Sequence, residues 1–294
     1  MTTLSAPPLS KSTNVRPSPS PALRLVGGLL RAIDTIAPPL ASRLAARMFV
    51  TPRRVPRPDS EKAWIASASS ERRTVAGMPI TIWSRGTGPV VLLIHGWEGR
   101  GSQLGALGDL LVEQGWRIVV PDLPAHGDSS GRQTNLLEFA AITRELIVDL
   151  DPHAVIAHSF GCAATNVALR DVPEFRRPLV YIAPPEDFEH FTSIFSAMLG
   201  VSEGLASRMV WQIERKFGIR WSELRGLALA PLMTAPLLVI HDEDDSDVPL
   251  RFGRALAEAW PNARLVITRG LGHRRILRDA AVMEAAVEFI AGSE

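Results

Sequence analysis

The sequence predicts an α/β fold, a mostly parallel central sheet with helices on both faces. Three observations carry that expectation. From about residue 71 onward, short apolar runs alternate with helical patterns, the signature of strands joined by crossover helices. The run "PVVLLIHG" (89–96) is continuously apolar, as expected of a strand buried on both faces. The single long break in the alternation, 185–234, follows a strand and is far longer than a crossover needs, so it marks an inserted helical lid.

The elements follow in order. Residues 1–21 are rich in Ser, Pro and Thr, cannot bury enough surface to offset ordering, and read as a disordered leader. Residues 22–58 form a basic arm and linker. A helix over 22–36 is stopped by Pro38 and Pro39, a second covers "LASRLAARMF", and "TPRRVPRPD" (51–59) is a proline-spaced linker. The arm reads as a peripheral helical hairpin packed on the body, with a weak membrane-surface contact through its Arg and Leu faces as the alternative. The body spans 59–294. It opens with a hairpin around Gly77 and continues with strand 89–96, helix 104–115 and strand 117–122. Helix 134–150, with Thr134 as N-cap, leads to strand 153–159 and helix 160–170. Strand 178–184 precedes the insertion, where Phe188, Phe191, Phe195, Met198 and Leu199 share a helical face. Strand 235–242, helix 250–259, strand 263–270 and helix 277–290 finish the chain.

Composition excludes several classes. The 294 residues carry a net charge of +1, which gives no reason to invoke nucleic acid. The charge is uneven, with 1–58 at +8 and the remainder at −7. The lone Cys162 permits no internal disulfide and suits a reducing compartment. No apolar run is long enough for a membrane span, and the N-terminus does not read as a secretory signal, so the expected location is the cytoplasm.

The chemistry centres on "AHSFG" (157–161), where Ser159 follows a strand and opens a helix. A tight strand-to-helix turn lifts such a serine into a strained conformation and needs small neighbours two residues away on each side. Gly161 meets that need, and Ala157 asks for slight widening. A serine nucleophile needs a base and an orienting acid. Of seven histidines, His273 in "RGLGHRRIL" follows the last strand and is flanked by glycines that free its loop. His158 adjoins the serine, and its side chain is expected on the other side of the strand end. The loop "HDEDDSDVP" offers Asp242, Asp244, Asp245 and Asp247 as acids, with Glu186 and Asp187 in reserve. Its spacing lacks the glycine and glutamate of a calcium loop, so no metal is expected.

Over roughly residues 71–291 the chain resembles the α/β-hydrolases, in the order Ser159, Asp, His273. "HGW" (95–97) resembles the family's HG-x motif, "DLPAHGDSSG" its D-x-P-x-H-G-x-S loop and "GLGH" the setting of its histidine. "DEDDSDVP" resembles G-x-x-D-x-x-V-P with Asp242 in place of the glycine. The resemblance implies Asp245 as the acid and the backbone N–H groups of Trp97 and Phe160 as an oxyanion hole. His95, Gly96, His126 and His158 are expected to brace the loops near the site. The resemblance also implies a serine hydrolase of carboxylic esters or thioesters that needs no cofactor and takes a small acyl ester. Two other readings stand beside it: an acyltransferase or peptidase with the same triad, and a hydrolase-fold binding module without turnover.

Overall fold

The computed structural model describes residues 2–3, 21–186, 188–218 and 220–292. The leader expected to be disordered therefore lies outside the described residues, apart from Thr2, Thr3 and Pro21. Asp187 and the side chain of Phe188 lie outside them as well.

Eight strands of four residues or more form one sheet. They are β1 (Ser69–Val75), β2 (Met78–Arg85), β3 (Val90–Ile94), β4 (Arg117–Asp122), β5 (Ala154–His158), β6 (Leu179–Ile182), β7 (Leu237–Asp242) and β8 (Ala263–Thr268). Their spatial order is β1-β2-β4-β3-β5-β6-β7-β8, with Thr2–Thr3 paired in parallel beside β8. β2 runs antiparallel to β1 and to β4, and every other pair is parallel. The β1–β2 turn has Ala76 and Gly77 at positive φ, which matches the twist of a hairpin. β3, β5, β6 and β7 are almost wholly buried, which is why their sequences are apolar without alternation.

The helices of the sheet unit are α3 (Asp59–Ser67), α4 (Gly105–Glu113), α5 (Leu136–Leu150), α6 (Phe160–Arg170), α9 (Gly226–Leu229), α10 (Leu250–Ala259), α11 (Gly272–Arg275) and α12 (Ala280–Ala291). Side chains of α3, α4 and α12 pack with one face of the sheet through Trp64, Leu107, Leu111, Ile156, Val180 and Ile290. Helix α3 went unread in the sequence, although Asp59 and Glu61 in its first turn complement the helix dipole. The expected cap of α5 is corrected: Asn135, not Thr134, accepts from the N–H groups of Leu137 and Glu138. An amide oxygen reaches two amides from the extended residue just before the helix, whereas Thr134 sits one residue further back.

The described residues divide into two compact units. One comprises 2–3, 52–186 and 226–292. The other joins the arm, 21–51, to the insertion, 188–218 and 220–225. Its helices are α1 (Pro21–Ile36), α2 (Pro38–Phe49), α7 (Phe188–Leu199) and α8 (Glu203–Phe217). Pro38 and Pro39 open α2, where their missing N–H groups cost nothing. Leu30, Ala41, Ala45, Leu199, Leu205, Met209 and Ile213 form one buried core, so neither sequence segment has a core of its own. The Phe49 ring meets Phe195 edge-on at 5.2 Å and stacks near Trp221 at 5.8 Å. At Gly27 a Cβ would fall 1.7 Å from the Leu199 carbonyl oxygen, so only glycine lets α1 approach the end of α7.

Candidate active site

Parallel strands deliver their C-terminal ends to one edge of a sheet, and the loops there collect side chains from distant parts of the sequence. Ser159 stands at the end of β5 with φ 51° and ψ −123°, a region that non-glycine residues rarely occupy. The fold holds it there from several sides. Ser159 N–H donates to the Ile182 carbonyl at 2.9 Å, and the Ser159 carbonyl accepts from Cys162 N–H at 2.8 Å. A Cβ on Gly161 would lie 2.7 Å from the carbonyl oxygens of both Ile94 and His95, so the residue two places after the serine has to be glycine. The place two before it tolerates a methyl group: Ala157 is fully buried within the sheet, paired with Ile94 and Tyr181. Cys162 donates weakly to the Ala157 carbonyl, and burial pushes its thiol well above its usual value.

His273 lies in α11, directly after β8. Its Nε2 is 3.0 Å from Ser159 Oγ, and its Nδ1 is 2.7 Å from Asp245 Oδ2. The other oxygen of Asp245 accepts from the N–H groups of Asp247 and Val248 at 2.9 and 2.8 Å, so both carboxylate oxygens are held. The Asp245 side chain is fully buried, while the His273 side chain keeps slight exposure.

Asp242, at the family's glycine position, is fully buried at the end of β7 and engages four donors. Oδ1 accepts from the N–H groups of Gly272 and Asp244, at 2.9 and 3.0 Å. Oδ2 accepts from Thr268 Oγ1 and Leu271 N–H, at 2.8 and 3.1 Å. This carboxylate ties the loop carrying Asp245 to the residues just ahead of His273. Asp244 adds a bond to Gly270 N–H at 3.0 Å. Asp242, Asp244 and Asp245 thus meet backbone amides, and among the described residues no cluster of His, Cys, Asp or Glu could hold a metal ion.

A family model of the alpha/beta hydrolase family matches residues 91–286. The chain belongs to the alpha/beta hydrolase family. It is 32% identical over 119 residues to the magnesium-chelatase 30 kDa subunit of Rhodobacter capsulatus, a match covering 37% of this chain and 41% of that protein. Its fold is similar to an esterase from Exiguobacterium antarcticum, with a TM-score of 0.59 at 17% identity, over 75% of this chain and 98% of that one. It is also similar to a bacterial membrane phospholipase A, with a TM-score of 0.61 at 15% identity, over 92% of this chain and 97% of that one.

In this alpha/beta hydrolase His95, His126 and His158, which lie around the site, are tied to backbone. His95 Nδ1–H donates to Gly96 O at 2.7 Å, leaving Nε2 to accept from Leu123 N–H at 3.0 Å. His126 does the same between Pro124 O and Glu98 N–H, both at 2.9 Å. An imidazole that accepts a backbone N–H must be neutral. Burial lowers His95 to about 4 and His126 to about 3, each against its hydrogen bond to a carbonyl. Trp97 lies between these two braced segments, its ring edge-on to Phe160 at 5.3 Å. Gly96 is confined by the Ser159 side chain, 2.9 Å from where a Cβ would sit. His158, expected to point away, donates from Nε2 to the His273 carbonyl at 3.0 Å. Burial drives its pKa well down.

Sequence reasoning missed the partners of these loops. The linker arginines, read as part of a basic arm, close on the sheet unit. Arg53 chelates Glu98, Arg54 donates to the carbonyls of Ala125, Ser129 and Gly131, and Arg57 pairs with Asp122 and Asp128. Burial acts to raise the Glu98 carboxyl, but the hydrogen bonds and charge of Arg53 outweigh it and the net shift is downward. Asp122 is a buried hub that accepts from Gly101 N–H, Trp83 Nε1–H and Asp128 N–H. No local pattern announces such pairings.

Proposed function

We propose that this protein is a serine hydrolase that cleaves carboxylic esters, and thioesters by the same chemistry, through an acyl-enzyme. The observation that supports it is the unbroken hydrogen-bond series Asp245–His273–Ser159 at 2.7 and 3.0 Å, ending on a serine held at φ 51°. In this reading Ser159 Oγ attacks the acyl carbonyl while its proton passes to His273 Nε2. Asp245 holds the imidazole with Nδ1 toward itself and stabilises the imidazolium. The carbonyl electron pair moves to oxygen, which accepts from the N–H groups of Trp97 and Phe160 at the positive end of α6. Collapse expels the alcohol or thiol, which takes the proton from His273. Water then repeats the sequence on the acyl-serine, and the carboxylic acid leaves. The likeness in fold to an esterase and a phospholipase A is in keeping with an ester as the electrophile.

The test joins labelling to product analysis. A fluorophosphonate probe should modify Ser159, located by peptide mass spectrometry, and p-nitrophenyl esters of graded chain length should be hydrolysed. Labelling elsewhere, or no labelling with no turnover, would reject the reading in favour of a binding module. Products formed mainly by transfer to an added alcohol or amine would convert it to an acyltransferase.

A further inference from the structure

The outward face of the α1–α2 hairpin is apolar and basic. Of the nine large hydrophobic side chains exposed among the described residues, five lie between positions 25 and 44: Leu25, Leu29, Ile36, Leu40 and Leu44. Scattered single exposures need no explanation, but this concentration on two consecutive helices does. Leu25, Leu29 and Ile36 are 76%, 61% and 87% exposed. With exposed Ala32 they fall at i, i+4, i+7 and i+11, one stripe of a helix. The opposite stripe of α1, Val26, Leu30 and Ile33, packs into the core shared with α7 and α8. The helix therefore has two apolar faces, and the unit's core uses one.

Charge narrows the occupant. Arg24, next to Leu25 on α1, is exposed, as are Arg43 and, one turn on, Arg47 on α2. The one acid in 21–51, Asp34, is paired with Arg208. A second copy of the chain, related by a two-fold axis, would bring like arginines together. An anionic lipid surface instead offers hydrocarbon for the leucines and phosphate for the guanidinium groups. With 16 residues, α1 is about 24 Å long at 1.5 Å per residue. No helix among the described residues is long and apolar enough to cross a membrane. A flat-lying mode fits both facts.

We propose that the outward face of α1 and α2 docks on the surface of a bilayer containing anionic phospholipid. The full-length protein should co-sediment with phosphatidylcholine vesicles containing phosphatidylglycerol at about 0.05 M salt and dissociate by about tenfold or more at about 0.5 M. Pure phosphatidylcholine vesicles should bind it weakly. The triple variant Leu25→Ser, Leu29→Ser, Ile36→Ser should lose binding, with helical content and sedimentation as a monodisperse species unchanged, because these side chains are outside the core. Arg24→Gln with Arg43→Gln should lower binding and flatten its salt dependence. Absence of binding by the parent chain, or equal binding to neutral and anionic vesicles, would overturn the proposal. So would a concentration-dependent dimer that the triple variant abolishes, since that assigns the face to a second copy.

Discussion

The sheet unit and the helical unit bury their polar and apolar groups by opposite means. In the sheet unit, the strand ends and the loops after them carry buried His95, Asp122, His126, His158, Asp242 and Asp245, each held by backbone or side-chain partners. The helical unit is joined by Leu, Ala, Met and Phe contacts between segments far apart in sequence, and its glycine at 27 matters for closeness. The first arrangement fixes a few atoms to within a hydrogen bond. The second tolerates apolar exchange and leaves a face for something else. Precision in this chain is therefore a property of satisfied polar groups at the sheet edge, and helix packing supplies surface.

The largest test of that contrast is Ser159→Ala. If the sheet edge carries the chemistry, kcat on p-nitrophenyl esters falls by about 10⁴–10⁶-fold while thermal unfolding changes little. A loss below tenfold would dissolve the distinction.

Within the acid loop, Asp245→Asn should cost on the order of 10²-fold or more in kcat, above Asp244→Asn and Asp247→Asn, because the partner of His273 sets its tautomer. Asp242→Asn should do something different. An amide nitrogen would face one pair of the four donors, so stability should fall by roughly 2–4 kcal/mol. Turnover should drop by only about tenfold, with KM retained. Urea denaturation and steady-state kinetics on the same samples separate the two roles, and a greater kinetic loss at 242 than at 245 would exchange them.

Gly27→Ala probes the other unit. The added methyl cannot fit against the Leu199 carbonyl, so α1 must shift, at a cost of about 1–3 kcal/mol. Proteolysis within 21–51 should accelerate. Unchanged proteolysis would mean that the close approach is not a constraint.

Acid should act on the sheet unit through its neutral histidines. Their folded values, about 4 for His95 and about 3 for His126, lie below the ordinary 6.5, so the unfolded chain binds more protons in that window. Stability is complete above about 6.5 and is lost as the pH falls from there toward 4, by on the order of 1 kcal/mol per pH unit for each histidine. Urea midpoints measured across this window should decline, and a flat profile would mean that the two rings are charged in the native state.

The smallest expected effect is Ala157→Gly. The alanine already fits between β3 and β6, so kcat/KM should change less than about threefold. A gain of tenfold would show that its methyl strains the turn.

The sequence by itself determined the parallel sheet, because strands buried on both faces leave continuous apolar runs, and it determined the helix that opens at Phe160. It also marked Ser159, His273 and the aspartate loop, because a tight strand-to-helix turn and glycine-flanked strand ends restrict which residues can stand there. Choosing Asp245 among four aspartates required a family pattern, since adjacent carboxylates look alike until the loop closes. Three features were decided only by the tertiary structure. The arm and the insertion share one core, because each is an amphipathic pair whose missing half lies elsewhere in the chain. Arg53, Arg54 and Arg57 turn from linker charges into staples on the 95–131 loops, because carbonyls and carboxylates meet them only after the strands align. Asp242, unexpected where the family has glycine, becomes a four-donor clamp, since two of the amides it holds, those of Leu271 and Gly272, belong to a loop about 30 residues away that the β7–β8 pairing brings to it.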